Sequence, residues 1–296
     1  SGGAQMTLAL VILVIAAVVT AVFWFIPKKN GPILTMYSGL YLLVLYAPIL
    51  ILPIFAFNDN KVVTFPLKGF TTQWFAEMWA DPNLRIALGN SLIIALSTAT
   101  LATILGIFAA RASVRYGFPG KGAALGLIML PLVLPEMIVA MALLVVLLSI
   151  GVPLSIFTII MGHVLICMPF AVAILTSAFQ SLDRSLEEAA LDLGETQIST
   201  FRLITLPLVM PGILASFLIT FTISIDEFII SNFLGSGKPV LSVYIFGQFR
   251  FPAKVPSMLA LGTLLVAFSI CLLAIAEYFR RRGIAKAGGN ASGGFL

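Results

Sequence analysis

The chain has 296 residues, of which 60% are hydrophobic and 10% are charged, and its mean hydropathy is +1.11. This balance excludes a water-soluble globular domain and indicates a polytopic membrane protein, because a stretch of about 20 apolar residues spans the hydrocarbon core of a bilayer. The net charge of +5 does not indicate nucleic-acid binding, because in a membrane protein the placement of basic residues matters more than their sum. The apolar stretches do not alternate with polar residues as barrel strands do, so we predict an all-α protein.

The first apolar stretch, residues 7–26, is long enough to span a membrane. Lys28 and Lys29 follow it, which places its C-terminal end in the cytoplasm and the N-terminus on the outer side of the membrane. It has no basic residue before it and no small-residue cleavage pattern after it, so we do not expect a removable signal peptide. We assign residues 1–32 to an extra N-terminal helix with a short cytoplasmic link, and residues 1–5, which precede Met6, receive no function.

Six further spans are predicted, at residues 33–57, 86–110, 122–148, 155–179, 208–233 and 257–279. With these spans, 11 of the 17 basic residues fall in cytoplasmic segments and 6 fall in outer segments. This asymmetry, with the cluster Arg280-Arg281-Arg282, places the C-terminus in the cytoplasm. Residues 33–282 form the predicted core, and residues 283–296 form a flexible cytoplasmic tail.

The two outer loops contain predicted short helices. Residues 58–83 carry Trp74, Phe75 and Trp79 in the pattern of a helix lying on the membrane surface. Residues 242–249 lie between two prolines and are expected to form a second short helix.

The longest charged interruption lies at residues 181–207. Ser185 and Glu188 have the spacing of a capping box, and Gly194 is placed as a left-handed stop after an apolar stripe. A second short helix is predicted from about 196 to 206, with Pro207 at its junction with the next span. Spacing alone leaves two interpretations open: a surface hairpin packed on its own bundle, or a plug that enters a partner's groove.

The pattern Glu188-Ala189-Ala190, Gly194, Ile204 and Leu206-Pro207 resembles the EAA motif of the permease subunits of type I ABC importers. Asn90-Ser91, the segment 131–135 and Asp226-Glu227-Phe228 are similar to the spermidine/putrescine class, and within it to the PotC-like member of the pair. The resemblance covers roughly residues 33–282.

The resemblance implies a permease subunit of a bacterial inner membrane, not an enzyme, with coupling helices at about 181–207. The implied partners are a second homologous permease in a heterodimer, two ATP-binding subunits and a periplasmic polyamine-binding protein. ATP and Mg²⁺ would be bound by the ATPase, so no cofactor is expected on this chain. The implied coupling residues are Glu188, Ala189, Ala190, Gly194, Phe201, Ile204, Leu206 and Pro207.

Three acidic residues in apolar spans, Glu136, Asp226 and Glu227, are candidates for a cation pathway. Carboxylates within a membrane are costly and normally face a cavity or a partner. For Asp226 and Glu227 we expect one carboxylate to face inward and the other to be paired or solvated; the alternative is an interfacial structural role with Arg85 or Arg250. A possible gate at the outer mouth consists of Tyr244, Phe246 and Phe249, for which ordinary packing is the competing interpretation.

The histidine, the cysteines and the segment 235–239 do not indicate a catalytic, metal or nucleotide site. His163 is the one histidine and is expected to make a core hydrogen bond. Cys167 and Cys271 lie in apolar spans as small hydrophobic residues, and we predict no disulfide and no metal site. The segment 235–239 resembles the end of a phosphate-binding loop but lacks the upstream glycine and the hydroxyl residue after lysine.

Three other functions stay open. An importer of the same class could carry an opine, an amino-phosphonate or iron. An ion-coupled secondary transporter would also use intramembrane carboxylates, but it would need internal inverted repeats and would have no use for the segment 181–207. A membrane enzyme would need a nucleophile, metal ligands or a cofactor motif, and none is visible.

Overall fold

The computed structural model describes the backbone of residues 32–286 and the side chains of residues 36–49 and 51–271. The expected first span and the residues after 286 lie outside this part of the chain. Within it, the residues form helices, and the extended contacts amount to one isolated bridge between Asn58 and Phe70. The prediction of an all-α protein is confirmed.

Twelve helices are described between residues 32 and 286. In chain order they are α1 Pro32–Ala56, α2 Gln73–Ala80, α3 Pro82–Arg115, α4 Lys121–Met129, α5 Glu136–Ser149, α6 Ile156–Gln180, α7 Arg184–Asp192, α8 Gln197–Thr200, α9 Leu206–Asp226, α10 Ile229–Leu234, α11 Leu241–Gln248 and α12 Val255–Lys286. The short helix predicted between the two prolines is α11. Helix α12 continues to Lys286, past residue 283 at which the predicted tail begins.

Within the described residues, five helices are long and apolar enough to cross a membrane, and a bent pair makes a sixth span. The predicted span at 122–148 corresponds to this bent pair, in which the chain turns by 105° between 121–132 and 136–149. Pro131 and Pro135 explain the turn, because proline removes a helical hydrogen bond and disfavours helical backbone in the residue before it. A short 3-10 turn, Leu130–Leu132, precedes the bend.

The fifth predicted span, 208–233, needs correction. Helix α9 ends at Asp226, Glu227 has an extended backbone with ψ 119°, and α10 begins at Ile229. The sequence pattern missed this break because the residues on both sides of the acidic pair are apolar.

Residues 82–246 form one compact unit in which α3, α6 and α9 pack against one another. Small residues allow this close approach: a Cβ added at Gly106 of α3 would lie 3.0 Å from the Cβ of Ala171 on α6. Such small-residue contacts are typical of membrane helices, which associate by van der Waals packing. A second layer is formed by α5 and α10, whose Ala140 and Ile230 share a buried cluster with Ile159.

Among the described residues, 32–81 and 247–286 form a second compact unit, built on α1, α2 and α12. Trp74 is 1% exposed and packs with Phe55 and Ala260, and its Nε1 donates a hydrogen bond to the carbonyl of Asn58 at 2.8 Å. The predicted short helix of this loop is Gln73–Ala80, and its first tryptophan, Trp74, is a core residue rather than a membrane-surface anchor. Trp79 on the same helix is exposed.

Candidate functional site

The hairpin formed by α7 and α8 begins at a different cap from the predicted one. The carboxylate of Asp183 accepts a hydrogen bond from the backbone N–H of Ser185 at 3.0 Å, and α7 starts at Arg184. Hydrogen bonding from the backbone and side chain of Ser185 lowers the pKa of Asp183 below its usual value. The capping box predicted at Ser185 and Glu188 is therefore wrong, because an aspartate two residues earlier already caps the helix.

The turn between α7 and α8 is a glycine turn, as predicted. Gly194 has φ +91°, its N–H donates to the carbonyl of Leu191 at 3.0 Å, and the N–H of Glu195 donates to the carbonyl of Ala190 at 3.0 Å. An L-residue at this φ is disfavoured by about 1–2 kcal/mol. A Cβ added at Gly194 would meet no atom within 4 Å, so the position is open to its surroundings.

The second half of the hairpin corrects another expectation. Thr196 caps α8, accepting from the N–H of Ser199 at 3.2 Å, and the helix then continues through a π-helical turn, Phe201–Thr205, into α9. No junction occurs at Pro207, which lies in the first turn of α9. The helix stays continuous because the π turn accommodates residues whose backbone groups do not form the regular α-helical hydrogen bonds.

Glu187 fixes the hairpin to the end of α3. Its Oε2 lies 2.7 Å from Nε of Arg115, and its Oε1 accepts a hydrogen bond from Thr205 at 2.7 Å. Arg115 also donates from Nη2 to the carbonyl of Leu182 at 3.3 Å. Sequence spacing predicts Glu188 and not Glu187, because the partner of Glu187, Arg115, lies on another helix far away in the chain.

The neighbouring Glu188 lies on the open side of α7. Its side chain is 59% exposed and pairs with the 70% exposed Arg184 at 2.9 Å, an arrangement that contributes little to stability. Ala190 is buried, while Ala189 and Pro207 are exposed and Ile204 and Leu206 are half-buried. The hairpin also exposes apolar side chains: Leu193 is 87%, Ile198 81% and Leu203 63% exposed.

Phe201 faces inward rather than outward. It packs against the cluster of Ala110, Phe179 and Val209, and the guanidinium of Arg111 lies 4.4 Å from the centre of its ring. Among the predicted coupling residues it therefore joins the hairpin to its own bundle.

The acidic residues lie at the two helix breaks. Glu136 is the first residue of α5, directly after the proline bend, and it is exposed. Asp226 is the last residue of α9 and is exposed, whereas Glu227 is 6% exposed. The expectation that Asp226 and Glu227 would face different surroundings is consistent with these positions.

Glu227 is held by backbone amides. Its carboxylate oxygens accept hydrogen bonds from the N–H groups of Ile229 at 3.0 Å and of Ile230 at 3.0 and 3.1 Å, with a longer contact to that of Ser231 at 3.5 Å. The Ser242 hydroxyl donates to the Glu227 carbonyl at 2.8 Å. The carboxylate thus satisfies the orphan donors at the start of α10, as the first turn of a helix requires.

His163 joins the same network from α6. It is fully buried, with Nδ1 2.8 Å from the Ser224 hydroxyl and Nε2 3.0 Å from the Ser231 hydroxyl. Its Nε2 is also 3.7 Å from Oε2 of Glu227. The predicted core hydrogen bond is confirmed, and the histidine connects the helices on both sides of the break.

Two further residues hold the loop between α10 and α11. Asn90 donates from Nδ2 to the carbonyl of Pro239 at 2.8 Å, and the N–H of Leu241 donates to the Ser91 hydroxyl at 2.8 Å. These contacts give the Asn90-Ser91 pair a local role that spacing did not reveal.

The predicted gate residues are only partly brought to this site. The Phe246 ring lies 4.8 Å from that of Phe228, which follows the acidic pair. Tyr244 is half-buried on α11, and Phe249 follows that helix and is 49% exposed in the other unit.

Comparison with solved structures identifies the class first. The chain is similar to a crystal structure of a bacterial ABC transporter that imports the acidic polysaccharide alginate, with a TM-score of 0.68, 15% identity, and coverage of 87% of this chain and 98% of that chain. A second structure, the alginate transporter in complex with its alginate pentasaccharide-bound periplasmic protein, gives a TM-score of 0.64 at 20% identity, covering 84% and 93%. The fold is that of an ABC importer's transmembrane subunit.

Sequence comparison then identifies the family. Residues 102–284 match the model for the binding-protein-dependent transport system inner membrane component. The putrescine transport system permease protein PotI of Escherichia coli K12 is 38% identical over 258 residues, covering 82% of this chain and 91% of that protein. The spermidine/putrescine permease protein PotC of Haemophilus influenzae is 32% identical over 239 residues, covering 80% and 92%. The chain belongs to this family of inner-membrane permease subunits, and the resemblance drawn from the EAA motif is confirmed.

Proposed function

We propose that this chain is one of two permease subunits of an ATP-driven importer and that it forms, with the second permease, a pathway for polyamines such as putrescine and spermidine. The observation that carries the substrate class is the exposure of Glu136 and Asp226 at helix breaks within apolar spans. Neither carboxylate has an ion-pair partner among the described side chains. An unpaired carboxylate in a membrane is expected to face a cation or water.

The names of the relatives support the same class of solute, since both PotI and PotC are putrescine permeases. A flexible diamine or triamine carries ammonium groups that are separated along its chain. Carboxylates at two helix breaks therefore suit such a solute better than a single deep binding site would. A weak and divided site also allows release after entry.

The partners follow from the exposed hairpin. Leu193, Ile198 and Leu203 leave apolar surface on a charged segment, which is typical of a docking surface. We assign to it an ATPase subunit that binds ATP and Mg²⁺, present twice in the assembly. A periplasmic binding protein would deliver the substrate, the hairpin and C-terminus would be cytoplasmic, and the N-terminus periplasmic, as the distribution of basic residues supports.

The mechanism is alternating access. Closure of the ATPase dimer moves the hairpin, and the helices that it contacts move with it between inward-open and outward-open arrangements. Glu187 is suited to transmit this motion, because it holds the hairpin to the end of α3 and, through Thr205, to the start of α9.

The test is uptake by the assembled importer. The chain, its second permease, the ATPase and the binding protein are reconstituted in liposomes, and uptake of labelled putrescine and spermidine is measured with and without ATP. We expect ATP-dependent polyamine uptake that an opine, an amino-phosphonate or iron does not inhibit. Inhibition by one of these solutes with no polyamine uptake would assign that solute instead. Gradient-driven uptake by this chain alone, without ATP, would establish a secondary transporter.

A further inference from the structure

A small cavity opens where the end of α3 meets the hairpin. Its volume is about 140 Å³, and its walls include three arginines and two glutamates. The lining cations and anions are Arg111, Arg115, Arg184, Glu187 and Glu188. None of the roles described above uses the cavity itself.

The charges of the cavity do not balance. Arg115 pairs with Glu187 at 2.7 Å and Arg184 pairs with Glu188 at 2.9 Å, which leaves Arg111 without a carboxylate among the described side chains. Its Nε is buried and has no hydrogen-bond partner within the described part of the chain. One arginine in the wall is therefore an unused cationic donor.

Arg111 is also held in place. Its guanidinium lies 4.4 Å from the Phe201 ring centre, and Phe201 itself packs in the bundle. A guanidinium stacked on an aromatic ring keeps its edge donors free while its face is covered. A preorganised cation of this kind loses little freedom when it binds an anion.

We propose that this cavity receives a carboxylate side chain, Asp or Glu, of the ATPase subunit and that Arg111 is its main ligand. The proposal rests on the function proposed above and specifies the chemistry of its docking surface. Arginine binds carboxylates through paired N–H donors, and a planar carboxylate matches its fork. The glutamates in the wall favour a single negative charge over a more highly charged anion.

Size and surroundings favour a protein side chain as the occupant. Small-molecule sites are usually about 300–1,000 Å³, so a cavity of about 140 Å³ fits a carboxylate side chain rather than a nucleotide. An anionic lipid would bring acyl chains against walls in which Leu191 is the one aliphatic side chain. Leu193 and Ile198 on the same hairpin are exposed, and a bound protein would cover them.

Binding of the ATPase to the permease pair in nanodiscs tests the proposal. Arg111→Gln is expected to weaken binding by about tenfold or more, because truncating a buried charge pair leaves its partner unpaired. Arg202→Gln is the matched control: Arg202 lies in the π turn after α8, is exposed and does not line the cavity, so the variant should lose less than about threefold in binding. Equal losses for both variants would overturn the proposal.

A cross-linking experiment identifies the occupant independently of affinity. In the intact importer, an Arg111→Lys variant keeps the cation and supplies an amine that a zero-length carbodiimide joins to a carboxylate in contact with it. We expect a product with an Asp or Glu of the ATPase, mapped by mass spectrometry, which the Arg202→Lys variant does not give. Products confined to this chain, the second permease or a lipid would overturn the assignment. Failure of the unsubstituted permeases to bind any ATPase would instead refute the proposed function.

Discussion

The hairpin of α7 and α8 and the break between α9 and α10 hold their acidic residues in opposite ways. In the hairpin, Glu187 and Glu188 pair with arginines, and Glu188 remains largely exposed. At the break, Glu227 has no Lys or Arg partner among the described residues and is held by backbone N–H groups. Charged side chains thus pair with one another at one site and cap the start of a helix at the other.

The difference follows from the surroundings. Water screens the charges of the exposed Arg184–Glu188 pair, so that pair costs little to form or to break. Inside an apolar span an unpaired charge is costly, and free backbone amides must also be satisfied. A carboxylate that accepts amide hydrogen bonds meets both needs at once.

The largest effect is expected at the break. Glu227→Ala leaves at least two buried N–H groups at the start of α10 without an acceptor, which should cost about 3 kcal/mol or more of unfolding free energy. Asp226→Ala, at the adjacent exposed position, should change it by less than about 0.5 kcal/mol. Thermal unfolding of the purified chain in detergent measures both variants. Similar losses of unfolding free energy in the two variants would show that the amide hydrogen bonds of Glu227 do not make it more important for stability than Asp226.

The second comparison lies within the hairpin. Glu187→Gln weakens the contacts to Arg115 and Thr205 and should lower stability by about 2 kcal/mol, whereas Glu188→Gln should lower it by about 0.5 kcal/mol or less. Transport should be sensitive to Glu188 through docking. Unfolding and ATP-driven uptake are measured on the same preparations. A Glu188 variant that is strongly destabilised but transports normally would reverse the assignment.

A third prediction concerns the pathway. Glu136→Gln should reduce polyamine uptake roughly tenfold, equivalent to about 1.4 kcal/mol, through loss of one attractive charge. Binding of the ATPase should not change, because the hairpin is untouched. Uptake kinetics at several putrescine concentrations provide the measurement, with ATPase affinity as the control. Unchanged uptake would remove Glu136 from the pathway.

The smallest effect is expected at the helix cap. Hydrogen bonding to Ser185 lowers the pKa of Asp183, so the cap stabilises α7 at neutral pH and this contribution is lost as pH falls through the pKa of the folded state. Asp183→Ser should keep a cap but remove this part of the acid dependence. Unfolding of both proteins between pH 3 and pH 7 tests the prediction, and identical pH profiles would contradict it.

The sequence predicted the parts of the molecule that follow from local pattern. Apolar length indicates where the core spans lie but not the breaks within two of them, and Gly194 is predicted because a left-handed turn after an amphipathic helix favours glycine. Leu193 and Ile198 are apolar positions of the two short helices predicted around Gly194. Their exposure confirms the hairpin as a surface element.

Tertiary contacts decided the rest. The break at Glu227 is not visible in hydropathy, since the flanking residues are apolar, and its stability depends on His163 and Ser242 from distant positions. Glu187 was overlooked because its partner Arg115 lies on another helix. Two prolines indicate the bend before Glu136, but the 105° angle between the two helices depends on packing.

Gly194→Arg tests the central claim most directly, namely that the hairpin transmits the work of an ATPase to the spans. The position is open, so the arginine protrudes toward the partner, while Gly194→Ala carries the backbone strain without the bulk. Polyamine uptake and ATP hydrolysis are measured together in liposomes containing the complete importer. We predict that Gly194→Arg lowers uptake at least about tenfold with the chain still folded in the membrane, and that Gly194→Ala retains most uptake. Normal ATP-driven uptake by the Gly194→Arg importer would contradict this prediction.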